Sequence, residues 1–131
     1  MKYRHILLID DDEDDGEIFV AALKVASAAV AYTVLDDATE ALDQLSSKEI
    51  IPDVIFLDLN MPIMNGQQFL LEVKKNQGLQ NIPVVIFSTT SHSPTIQLTK
   101  EFGAQDFITK PNNFDELVHV LKNFLNERHA E

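Results

Sequence analysis

Val54-Ile55-Phe56-Leu57-Asp58 sets four apolar residues directly before a carboxylate, and Leu59-Asn60-Met61-Pro62 follows at once. Four residues are too few for a helix, and an unbroken apolar run leaves no wet face. The segment therefore reads as a strand buried on both sides. The same pattern recurs along the chain. His5-Ile6-Leu7-Leu8-Ile9 ends at Asp10-Asp11-Asp12, Val84-Val85-Ile86-Phe87 follows Pro83 and ends at Ser88, and Phe107-Ile108-Thr109 ends at Lys110-Pro111. Tyr32 to Leu35 is a shorter run of strand formers and is read the same way.

Helical patterns fill the gaps. Ile18, Phe19, Ala22, Leu23 and Ala26 share one face of a helix that starts within the acidic run. Ala41, Leu42 and Leu45 lie at helical spacing, with Asp36 or Asp37 as a cap. Phe69, Leu70 and Val73 mark a third helix from near Gly66, and Pro94 suits the first turn of a fourth that Gly103 closes. Phe114, Leu117, Val118, Leu121, Phe124 and Leu125 form the stripe of a fifth. Strand and helix alternating five times predict an α/β fold, a doubly wound five-stranded parallel sheet with five helices. No repeat, low-complexity tract or linker interrupts it, so residues 1–131 read as one domain without an output module.

Composition narrows the function. The apolar fraction of 45% and charged fraction of 24% are those of a globular protein. The absence of cysteine excludes disulfides and thiolate metal sites. A net charge of −11 argues against binding nucleic acid or anionic lipid directly. Met1 to Ile9 does not resemble a secretory leader, and no run is long enough to span a bilayer, so a cytoplasmic location is expected.

In doubly wound sheets the site lies beyond the carboxyl ends of the strands. Those ends carry Asp10, Asp11, Asp58, Ser88 and Lys110. Carboxylates brought together raise one another's pKa unless a cation sits between them, and hard oxygen ligands suit Mg²⁺. A hydroxyl and an ammonium nearby could meet the oxygens of a phosphoryl group, whose transfer needs mainly positioning and charge neutralisation.

Ile9-Asp10-Asp11, Leu57-Asp58-Leu59-Asn60-Met61-Pro62 with Asn65-Gly66, Phe87-Ser88-Thr89 and Thr109-Lys110-Pro111 resemble, in order and across nearly the whole chain, the response-regulator receiver family. That family has a flavodoxin-like fold and works in two-component signalling. The resemblance implies that Asp58 accepts a phosphoryl group from a histidine kinase or a histidine phosphotransfer protein. It further implies that Asp11 ligates Mg²⁺ directly, with Asp10 helping through water and Asn60 offering its backbone carbonyl. Ser88 and Lys110 would hold phosphoryl oxygens, and Phe107 would swing inward as Ser88 moves. The face of the fourth helix, fifth strand and fifth helix would then dock a target or a second copy. The Lys110-Pro111 bond matches a position where the family usually carries a cis peptide. Asp10-Asp11-Asp12-Glu13-Asp14-Asp15, Asn60-Met61-Pro62 and Ser88-Thr89-Thr90-Ser91 look like receivers paired with phytochrome-type kinases. Such a protein speeds its own phosphorylation and hydrolysis without being an enzyme on a separate substrate, and can serve in a phosphorelay.

Each residue also has an ordinary reading. Acidic runs cap helices, Asp58 could end a strand, Ser88 could begin a turn, Lys110 could be a surface lysine and Phe107 a core aromatic. His5, His92, His119 and His129 show no metal-ligand spacing. A calcium loop from Asp11 fails because Ala22 stands where a bidentate glutamate is required. A phosphatase of the haloacid-dehalogenase type needs a second aspartate two residues after the nucleophile, where this chain has Asn60. The remaining alternative is a receiver-like interaction module that acts without phosphorylation. Members of that kind typically lose an acid or the lysine, and both are kept here.

Overall fold

Five short parallel strands pair into one sheet: β1 (His5–Ile9), β2 (Ala31–Leu35), β3 (Val54–Leu57), β4 (Val84–Ser88) and β5 (Asp106–Thr109). Between and after them run α1 (Glu13–Ala26), α2 (Ala38–Ser46), α3 (Gly66–Lys75), α4 (Ser93–Glu101) and α5 (Phe114–His129). The computed structural model describes residues 3–129, with side chains through 126. The reading of His129 and part of the Met1 to Ile9 reading therefore lie outside the described residues. Strand order is β2-β1-β3-β4-β5, so the order reverses between β1 and β3, and that is the switch point where such sheets bind ligands.

Period-two alternation sorts the strand residues onto two cores. Ile6, Leu8, Val54, Phe56, Val85 and Phe87 meet Phe19, Ala22 and Leu23 of α1 and Leu117, Leu121 and Phe124 of α5. Leu7, Ile9, Ile55, Leu57, Val84 and Ile86 meet Ala41 and Leu45 of α2 and Phe69, Leu70 and Val73 of α3. Phe56 centres the first core, its ring 5.3 Å from Phe19 and 5.2 Å from Phe124 between centroids. On the other face α4 is held more lightly, with Thr99 its one fully covered residue.

Local chemistry sets the helix ends. Asp12 accepts from the Asp15 N–H to start α1, and the Asp37 carboxylate accepts from Thr39 and Glu40 to start α2. Asn65 and Gln68 form a reciprocal capping box on α3. Pro94 lies in the first turn of α4, and Gly103 closes that helix at φ 104°, a conformation L side chains rarely adopt.

Three expectations are corrected. β2 and β5 are the sheet's edges and are not buried on both sides: Tyr32 and Val34 remain 39% and 38% exposed, because an edge strand has one neighbour and its outer flank escapes the helices. Ile18 (47% exposed) and Phe114 (41%) stand outside the apolar stripes assigned to them, since each helix covers the sheet through a limited arc. The Lys110-Pro111 bond is trans, the intrinsically favoured isomer, and no peptide bond among the described residues is cis.

Phe56→Ala empties the centre of an aromatic cluster whose members are all buried. It is expected to cost roughly 3–5 kcal/mol in urea-unfolding free energy. Ile18→Ala, at an exposed position on α1, should stay within about 0.5 kcal/mol of wild type in the same assay.

Candidate functional site

Backbone hydrogen bonds at the carboxyl ends join β2 to β1 to β3 and β4 to β5, and the β3–β4 pairing completes one edge. Asp10 N–H donates to the Leu35 carbonyl (3.0 Å), Asp58 N–H to Ile9 (2.9 Å) and Lys110 N–H to Ser88 (2.8 Å). This register brings together Asp10, Asp11, Asp58 and Lys110. Asp10, Asp11 and Asp58 each present a carboxylate oxygen within 4.8 Å of the others, the single such group of potential metal ligands among the described residues. Asp10 and Asp58 are buried and Asp11 is exposed, so the cluster has a sealed floor and an open mouth.

Lys110 is the cation of the site. Its Nζ lies 2.8 Å from Asp10 Oδ2, 2.8 Å from Asp15 Oδ2 and 3.9 Å from Asp58 Oδ1. It also stands 5.6 Å from the Phe87 ring centroid, within cation–π range. Burial alone would lower its pKa, but the hydrogen bonds to Asp10 and Asp15, with the charges of Asp10 and Asp58, leave the ammonium above its usual range. Asp10 is engaged twice, accepting also from the Asp12 N–H at 3.0 Å.

Burial pushes the Asp58 carboxyl up from 3.8 to about 6. Lys110 opposes that rise, Asp10 and Asp11 add to it, and a hydrogen bond from the Asn60 backbone opposes it. A buried acid crowded by two others fits a divalent cation, whose charge would relieve both the desolvation and the repulsion.

Ser88 is fully buried at the end of β4, its hydroxyl accepting from the Thr90 N–H at 3.4 Å. It faces a cleft of ≈ 610 Å³ shared with Asn60, Met61, Asn65, Thr90 and Thr95. Phe107 is half-buried and, like Phe102 and Ala104, packs against the α2–α3 core. Among the described histidine side chains, none joins the carboxylate cluster: His5 bonds Thr33, His119 bonds Asn123, and His92 bonds Thr95 at the Ser88 cleft.

Gly66 packs against the backbone that carries Asp58. A Cβ there would fall 2.7 Å from Leu59 Cα, and the Gly66 N–H donates to the Leu59 carbonyl at 3.0 Å. In the same loop Ile63 sits at φ 67° and is 92% exposed, an uncommon conformation for a β-branched residue. Sequence reasoning missed Asp15 as a partner of Lys110. The available signal was its place in the first turn of the helix that follows β1, a turn that must lie at the sheet's carboxyl edge.

Comparison with known proteins agrees with this geometry. The family model described as Response regulator receiver domain matches residues 6–122. The chain belongs to the response regulator receiver family. Among receivers, it is 34% identical over 116 residues to the two-component response regulator ARR6 of Arabidopsis thaliana, a match covering 82% of this chain and 61% of ARR6. It thus spans less than two thirds of that relative's length. The phosphorylated cyanobacterial phytochrome response regulator RcpA superposes with a TM-score of 0.85 at 28% identity, covering 93% of this chain and 91% of RcpA. The Mn(2+)-bound form of response regulator Rcp1 superposes at 0.82 and 27% identity, covering 92% and 91%. The sheet order and helix placement described above are those of the flavodoxin-like receiver fold. No helix among the described residues is long and apolar enough to cross a membrane.

The site makes stability depend on pH with a definite sign. A carboxyl held near 6 when folded and near 3.8 when exposed binds more protons in the folded state between those values. Its contribution therefore falls as pH rises through that window and stays low above it. In metal-free buffer at pH 7.5, Asp58→Asn should be more stable than wild type by on the order of 1–2 kcal/mol. The gap should close as pH falls from about 6 toward about 4 in paired urea titrations. Gly66→Ala should lower stability by about 1–3 kcal/mol in the same titrations, since backbone atoms block its Cβ.

Proposed function

We propose that this receiver takes a phosphoryl group onto the Asp58 carboxylate from a phosphohistidine, on a histidine kinase or a histidine phosphotransfer protein, with Mg²⁺ beside it. The observation that carries this reading is the position of Asp58. It is a buried carboxyl at the switch point of the sheet, grouped with two other acids and 3.9 Å from an ammonium.

In this reading an Asp58 oxygen attacks phosphorus in line while the P–N bond breaks and the electron pair leaves with the imidazole. Asp10, Asp11, Asp58 and the backbone carbonyl of Asn60 would hold the cation. When bound, it neutralises charge on the phosphoryl oxygens and on the clustered carboxylates. Support for a divalent ion comes from the Mn(2+)-bound form of Rcp1, and support for phosphorylation from phosphorylated RcpA. Lys110, 3.9 Å from Asp58, would turn its ammonium to bond a phosphoryl oxygen carried on that carboxylate. Ser88, which lines the cleft, would bond another through its hydroxyl. Asn60 and Thr90 line the same cleft, where their side chains would gate the water that later hydrolyses the acyl phosphate. Movement of Ser88 toward the phosphoryl group would draw Phe107 inward. That would reshape the face of α4, β5 and α5, for which the light anchoring of α4 is support. That face would dock a cytoplasmic protein target or a second copy. The likeness to RcpA favours a phytochrome-type sensor kinase as donor.

Incubation with Mg²⁺ and a small acyl-phosphate donor should add one phosphoryl group by intact mass, and none to Asp58→Asn. Lys110→Met should lower the initial rate by on the order of a hundredfold, the scale for removing one donor from a developing oxyanion. Unchanged wild-type mass under rapid sampling, with no binding of beryllofluoride, would overturn the assignment.

A further inference from the structure

The ammonium of Lys110 has three N–H donors, and the resting structure commits two of them away from the phosphoacceptor. Asp10 takes one at 2.8 Å from inside the carboxylate cluster. Asp15 takes the second, also at 2.8 Å, from the first turn of α1 and outside that cluster. Asp58 is more than an ångström farther, beyond hydrogen-bond reach. Lys110 is almost wholly covered, with 11% of its side chain exposed, so these charges act through little intervening water. Asp15 is 36% exposed on its helix, where Asp12 already supplies the cap through Asp15's own N–H. Its carboxylate is therefore not needed to start α1, and the chemistry above gives it no task.

We infer that Asp15 is a positioning residue that competes with the phosphoryl group for Lys110 and so sets how readily the activated form is reached. The inference rests on the phosphoacceptor reading of Asp58. A phosphoryl dianion there must draw the third donor of Lys110 toward itself while the ammonium stays balanced by two carboxylates. Asp15 also adds one more negative charge beside the incoming anion. Its differential effect is on the anion-bound state, so it shifts the population between resting and activated forms. Neutralising it should favour the activated state.

The test is a calorimetric titration of beryllofluoride, a phosphoryl mimic, into the full chain at saturating Mg²⁺. Asp15→Asn and Asp15→Ser should each bind about five-fold tighter than wild type, the scale of removing one nearby charge in a partly solvated site. That gain should shrink at high salt, and Asp15→Glu should return the affinity to the wild-type value. A purely structural role would instead lower the thermal midpoint of the neutral variants without tightening binding. Equal or weaker binding by both neutral variants would overturn the competition while leaving the role of Asp58 intact. Failure of the wild type itself to bind would overturn the phosphoacceptor reading instead.

Discussion

Asp10 and Asp58 come off adjacent central strands, so hydrogen bonding of β1 to β3 forces two buried carboxyls into the same few ångströms. Asp11 follows Asp10 and crowds them further. Left alone, such a group would strain the edge of the sheet. Lys110 offsets this from the far edge, through an ion pair with Asp10 that spans 100 residues of sequence. Much else about the site follows from that burial and arrangement: the raised pKa of Asp58, the fit to a cation, and the distance at which the ammonium waits.

The two cores serve the site differently. On the α1–α5 face, the interlocked rings of Phe19, Phe56, Phe87 and Phe124 hold the strands that carry Asp58 and Ser88, and Phe87 also lies under the Lys110 ammonium. On the opposite face, α2 and α3 are seated on the sheet through several buried residues, whereas α4 rests on Thr99. A rigid half therefore holds the chemistry, and the more loosely held helix lies beside the Ser88 cleft. The Thr109 hydroxyl bonds the Thr90 carbonyl at 3.3 Å, linking β5 to the loop that leads into α4.

Much of this was legible in the sequence, because the central strands are short apolar runs that end in polar residues. Burial on both faces leaves no choice of period, so Asp58 and Ser88 could be placed at strand ends from one chain alone. The edge strands were harder. Tyr32 and Val34 are good strand formers whether or not a helix covers them, and propensity does not report exposure. Asp15 was hidden for a different reason. In a run of acids every member looks like a helix start, and only the rotation of α1 about its axis decides which one turns toward Lys110. That rotation follows the docking of Phe19, Ala22 and Leu23 on the sheet, and Asp15, one helical turn before Phe19, lies on the same face.

The carboxylates and the lysine also belong to parts of the sheet with unequal protection. Asp10 and Asp58 sit on strands flanked on both sides, while Lys110 follows β5, an edge strand whose residues are half-covered or exposed. Fraying of that edge would release the ammonium and leave the three acids in place. Cation capture and anion capture thus tolerate different degrees of local opening: the first needs only the middle of the sheet, the second the whole of it.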